Sequence, residues 1–219
     1  MLIAENIQEI QQELPAQVRL VAVSKTYSAE AVMEAYSAGQ RDFGESRPQE
    51  LQLKASMLPS DIRWHFIGHL QSNKVKMVLP HAHLIHSVDS EKLLREVNDF
   101  CKKNNAAARC LLQVHVAQES TKFGFLPDEL MAFLRTADWE NLSHVTPVGL
   151  MAMATYTSNV AQVRSEFRQV KQLFEQAKLL APQADLFTEI SMGMSNDYRI
   201  AMEEGATLIR VGTSIFGER

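Results

Sequence analysis

Cysteine is scarce in this chain, with only Cys101 and Cys110 among 219 residues and no metal-type spacing between them. A cysteine-built metal site is therefore excluded, and reduced thiols in the core or on the surface are expected. A basic run is also missing and the net charge is −4, so neither composition nor charge pattern points to nucleic acid. Long apolar runs are absent too. The start, Met1-Leu2-Ile3-Ala4-Glu5-Asn6, is too polar for the apolar centre of a signal peptide, and no later stretch approaches a membrane span. A soluble cytoplasmic protein is the expectation. Internal repeats, low-complexity segments and linkers are all lacking, so one domain over 1–219 is expected.

What the chain does have is apolar residues, 46% of it, arranged with a period that switches between strand and helix. A leading helix over 6–14 stops at Pro15. Strands are then expected at 19–25, 42–45, 62–68, 84–88, 110–116, 146–152, 185–190 and 207–212, with helices between them. Gly39 closes the first of these helices, Pro127 opens another, a long amphipathic one covers 160–180, and the last runs from Ser195 to Gly205. Eight alternating units with short connections predict an α/β fold, a closed parallel (β/α)8 TIM barrel. An open doubly wound sheet is the competitor. It usually carries a Gly-rich turn after its first strand, where this chain has Ser24-Lys25-Thr26-Tyr27.

The first strand, Arg19-Leu20-Val21-Ala22-Val23-Ser24-Lys25, ends on a lysine. Alternation puts Val21, Val23 and Lys25 on one face, so in a barrel the amine stands at the mouth, where desolvation lowers an amine's pKa and makes it nucleophilic. After the last two strands come Ser191-Met192-Gly193-Met194-Ser195-Asn196-Asp197 and Gly212-Thr213-Ser214-Ile215-Phe216-Gly217. Barrels recurrently bind phosphate at these two loops, and here they offer hydroxyls, glycines that let N–H groups approach an anion, and a helix start at Ser195. Arg210 shares a face with Leu208 and Gly212 and is expected to point into the barrel, where its partner is either Glu189 or a ligand's ring nitrogen or carboxylate. His81, His83 and His86 invite a metal reading, but packing or surface histidines are the default and no metal is expected; His65 and His69 lie closer to the mouth. A lysine facing a phosphorylated carbonyl compound points to a Schiff base, with pyridoxal 5′-phosphate (PLP) or a sugar phosphate in a lysine-dependent aldolase as the two candidates.

Val21-Ala22-Val23-Ser24-Lys25-Thr26, Phe43-Gly44-Glu45, Trp64-His65-Phe66-Ile67-Gly68, Leu70-Gln71-Ser72-Asn73-Lys74, Gly149-Leu150-Met151, Ser191-Met192-Gly193-Met194-Ser195 and Arg210-Val211-Gly212-Thr213-Ser214-Ile215-Phe216-Gly217 resemble, in order and end to end, the pyridoxal phosphate homeostasis protein family. The resemblance implies the fold-type III PLP barrel of alanine racemase's N-terminal domain. It also implies a Schiff base on Lys25, Arg210 at the pyridine nitrogen, and Ser191, Gly193, Ser195, Gly212 and Thr213 around the phosphate. Ser46 stands where the family usually has asparagine, His69 where it has proline, and Met153-Ala154 where it has Ile-Pro, which bears on the pocket rim. The implied function is cofactor buffering or delivery, with transient contact to PLP-dependent apoenzymes, by a monomer without catalytic turnover. Racemisation needs a second base, which the racemase takes from an additional domain, and beyond strand eight and its loop this sequence offers only the short stretch Phe216-Gly217-Glu218-Arg219. A small racemase or lyase using His65 or Tyr156 as that base is the alternative.

Overall fold

The computed structural model describes residues 2–117 and 123–218; Met1 and Arg219, at the polar start and the short tail, lie outside the described residues. Helix α1 (Ile3–Glu13) precedes β1 (Arg19–Val23), α2 (Ala29–Ser37), β2 (Asp42–Glu45), α3 (Pro48–Met57) and β3 (Arg63–Phe66). Then follow α4 (Val75–Val78), β4 (Ala82–Val88), α5 (Glu91–Lys103), β5 (Ala108–Gln113), α6 (Pro127–Thr136) and β6 (Val145–Met151). Last come α7 (Val160–Lys178), β7 (Glu189–Ser191), α8 (Tyr198–Glu203), β8 (Leu208–Val211) and α9 (Thr213–Phe216). The strands close in sequence order into a parallel barrel, and β1 meets β8 with Val21 beside Arg210. The expected barrel is present and the open sheet is not.

Local chemistry explains the helix starts. Ser28, Ser90 and Asn159 accept the first free N–H groups of α2, α5 and α7, and proline opens α3 and α6, where its missing N–H costs nothing. Strand residues alternate between two cores. The outward set, among them Ala22, Phe43, Phe66, Ile85, Leu112, Ile190 and Val211, packs under the helices. The inward apolar set is small: Val21, Leu84, Leu111, Val148, Met151 and Leu208. Much of the remaining bore is polar.

Three expected boundaries are corrected. Residues 185 and 186 belong to a turn and 187–188 are not strand either, because the N–H groups of Leu186 and Phe187 bond back to Gln183 and Ala184. The first strand ends at Val23, and Lys25 stands in the turn closed by Tyr27 N–H to the Ser24 carbonyl. The helix after β7 begins at Tyr198, not at Ser195, because Asp197 and Tyr198 first bond back to the Met194 carbonyl.

Candidate functional site

A cavity of about 710 Å³ opens at the carboxyl end of the strands. Lys25, Arg210, Gly212, Thr213 and Ser195 all line it. These are residues from both ends of the chain, joined by the β1–β8 pairing.

The lysine corner is held from several sides. Ser24 N–H bonds to the Gly44 carbonyl, and Thr26 N–H donates to Glu50 Oε2 at 2.7 Å. Thr26 itself takes φ 70°, the left-handed region that a β-branched residue avoids. Behind the corner, Lys54 is buried on α3 and donates to the Ser24 carbonyl (2.8 Å) and to Glu45 Oε1 (2.7 Å), and Ser24 Oγ donates to the same carboxylate at 2.6 Å. Burial pushes the Glu45 carboxyl up, against the pull of Lys54 and Ser24. Tyr27 stacks on Phe216 with ring centres 4.8 Å apart and donates its hydroxyl to the Gly217 carbonyl, tying the corner to α9.

Opposite, the two end loops touch. Gly212 N–H reaches Ser195 Oγ at 3.3 Å, and a side chain at Gly212 would come within 3.2 Å of the Val23 carbonyl, so glycine lets this loop lie directly on β1. Gly193 lies outside the cavity lining. At φ 91° its α-carbon packs on α8, where a Cβ would come 2.6 Å from that of Ala201. Its carbonyl accepts Arg210 N–H at 2.9 Å.

Arg210 is only 4% exposed. It donates to Ser191 Oγ (2.5 Å) and to the Ala152 carbonyl (3.0 Å), not to Glu189, which Arg19 and Thr207 engage. Burial brings the guanidinium down to about 10. Ser191 is fully buried beneath the cavity and also contacts His86 Nδ1 at 2.9 Å. His86 Nε2 meets His65 Nδ1 at 2.8 Å, and His65 Nε2 meets Asp42 Oδ1 at 2.9 Å. Asp42 is further held by Arg63 at 2.8 and 2.5 Å. Burial lowers both histidines, His86 more strongly. Burial alone would raise Asp42, but Arg63 and His65 hold it well below the usual carboxylate range.

The remaining sequence candidates separate. Ser46, Met153, Ala154 and Tyr156 line the cavity, and Tyr156 is 84% exposed. His69 stacks on Phe123 and faces Asp89 at 3.2 Å. His65 is fully buried in the bore and does not reach the cavity, which removes it as a base for a bound substrate. His83 is exposed and His86 buried, and among the described residues no group of three ligating side chains suits a metal. Sequence reasoning did not single out Asp42, Glu50 or Lys54. Alternation could have found Asp42, because Phe43, Trp64 and Ile85 face outward and leave Asp42, His65 and His86 facing in.

Residues 2–219 match the family model of the alanine racemase N-terminal domain. The pyridoxal phosphate homeostasis protein of Aquifex aeolicus is 39% identical over 92% of this chain and 87% of its own length. The structure of PipY from Synechococcus elongatus without PLP superposes with a TM-score of 0.92 at 40% identity, over 98% of this chain and all of that one. The PLP-bound PipY structure gives 0.89 at 39% identity, again over 98% of this chain and all of that one.

Proposed function

The chain belongs to the pyridoxal phosphate homeostasis protein family, and from that premise we propose that it binds PLP in the carboxyl-end cavity through a Schiff base on Lys25 and buffers or delivers it. The observation that carries this reading is the convergence of Lys25, Arg210 and the Ser195–Gly212–Thr213 cradle on one cavity. Lys25 would hold the cofactor's aldehyde carbon through its amine, with water as the only other product of that condensation. Hydroxyls of Ser195 and Thr213 and the N–H groups of their loops would hold the phosphate, with Gly193 packing the first of these loops on α8 and Ser191 lying beneath Arg210. Arg210, which can only donate, would stand at the ring nitrogen. Bound PLP supplies an aldehyde and an electron-withdrawing ring. Because Arg210 keeps its own proton, a ring nitrogen opposite it would stay unprotonated, and the unprotonated ring is the weaker electron sink, which suits holding a cofactor better than turning over a substrate.

The reading extends to a single-domain monomer in the cytoplasm that passes PLP to apoenzymes by transient contact. Purified protein is expected to absorb in the visible, and borohydride to fix the chromophore on Lys25; Lys25→Ala abolishes both. A colourless protein that takes up no added PLP overturns the reading, and is what a phosphosugar aldolase would give. Tyr156 at the rim favours the second reading, a small racemase or lyase, which enzymatic exchange of an amino acid's α-proton in deuterated water would establish.

A further inference from the structure

Five buried polar side chains from five strands form one unbroken chain through the bore. Asp42 is the first residue of β2; His65 follows on β3, His86 on β4, Ser191 at the end of β7, and Arg210 on β8. Asp42, with Arg19 and Arg63, lines a cleft at the amino end of the barrel, while Arg210 lines the cavity at the other end. The four links span 2.5–2.9 Å.

Their direction follows from what each group can do. Arg210 has no acceptor, so Ser191 Oγ accepts from it. Ser191 then gives its own proton to His86 Nδ1, which must be a lone pair. A neutral His86 therefore carries its proton on Nε2 and donates to His65 Nδ1, and a neutral His65 donates from Nε2 to the Asp42 carboxylate. Each ring nitrogen and the Ser191 hydroxyl proton is then used once, and Asp42 Oδ1 accepts from both His65 and Arg63. The competing arrangement, with His65 charged and donating from Nδ1 to His86 Nε2, puts the His86 proton on Nδ1 and makes Ser191 accept from His86 and Arg210 together. Its hydroxyl proton then has no acceptor among the contacts described, a costly state for a fully buried group.

We propose that Asp42, His65, His86 and Ser191 are positioning residues acting through Arg210: a one-way hydrogen-bond chain that holds the Arg210 guanidinium in place toward the group in the cavity and ties that group's protonation to a carboxylate at the opposite end of the barrel. For the ligand, this rests on the PLP reading above; for the chain's polarity, it does not. The charged and titratable groups around it are accounted for. Arg63 and His65 of β3 face Asp42, and Asp61 lies beyond Arg63. His83 of β4, near Arg109 of β5, lies 5.8 Å from the His65 ring. Arg19 of β1, paired with Glu189 of β7, acts on both buried histidines, and Asp197 acts on Arg210. Burial disfavours a charge on either ring and so reinforces the neutral arrangement.

Two measurements decide it. Imidazole ¹⁵N NMR of the PLP-free protein is expected to show His65 and His86 neutral and protonated on Nε2 between about pH 6 and 8, near the free imidazole value. In PLP-loaded protein, Asp42→Asn removes the distant negative charge while its Oδ1 still accepts from His65. It should lower the pH midpoint of the visible absorbance band by on the order of 0.3–1 unit. Ser191→Ala cuts the chain beside Arg210 and should also move that midpoint, with Ser191→Thr restoring it. A folded Asp42→Asn with an unchanged midpoint overturns the proposal, as does a proton on His86 Nδ1. If Asp42→Asn does not fold, the Ser191 pair decides in its place, and an unmoved midpoint in Ser191→Ala overturns the coupling. Should the protein take up no PLP, the cofactor reading fails by itself, and the NMR result still upholds or overturns the chain.

Discussion

Glu50 reaches from α3 to the N–H of Thr26, directly after the proposed tether Lys25. That bond restrains a residue whose left-handed backbone costs about 1–2 kcal/mol for a non-glycine side chain. The Thr26 N–H and Lys54 hold the Glu50 carboxylate below its usual range despite partial burial. Glu50→Ala removes a hydrogen bond to a charged group, worth roughly 1.5–3 kcal/mol. The expected outcome is about tenfold weaker PLP retention, the equivalent of ~1.4 kcal/mol, with secondary structure unchanged. Absorbance titration with PLP checks the first and circular dichroism the second. Arg210 was readable in the sequence because a period of two says which strand side chains face the bore, and Lys25 and Gly212 because they follow strand ends at the barrel mouth. Glu50 and Lys54 were not. They act from a helix on a loop that lies far along the chain, and only the docking of α3 on the barrel sets that distance.

At the scale of elements, the long ones were legible and the short ones were not. The helix α7, with Val163, Phe167, Val170, Phe174 and Ala177 at helical spacing, and the strands of four to seven residues carry enough period to be seen. β7 has three residues and α9 four, too few for any period to register. The late start of α8 at Tyr198 likewise depends on backbone bonds to Met194 that no composition signals. The loop between β7 and α8 is nevertheless sharply specified. Gly193 gives it both a positive φ and contact with Ala201, and its carbonyl receives the Arg210 N–H. Gly193→Ala forces α8 away and strains the backbone. A loss of about 1–3 kcal/mol of stability is expected, together with weaker PLP binding, because Ser195 shifts with the loop. Urea denaturation of the free protein and PLP titration measure the two effects separately.

For the molecule as a whole, the polar bore makes stability depend on pH. His65 and His86 are lowered by burial from the ordinary 6.5, so below that value the unfolded chain binds more protons than the folded one. Their contribution is full above about pH 6.5 and is lost as pH falls toward their lowered folded values, at about 1.4 kcal/mol per pH unit for each ring. Asp42, held low, adds its own loss only under stronger acid, while Glu45, raised by burial, works in the opposite sense as pH climbs past its unfolded value. Urea midpoints are expected to fall between about pH 6.5 and 5.5, and His86→Asn should remove the larger part of that slope. The β1–β8 seam bears on the protein's synthesis. Lys25 is translated early, but β8 is its neighbour in the closed barrel, and Gly212 and Thr213 emerge nearly two hundred residues later. A nascent chain therefore carries its lysine without the cradle that would hold a phosphate, so on the ribosome it is poorly equipped to capture a reactive aldehyde. On the proposed reading, lysine and cradle come together only when the last strand closes the ring.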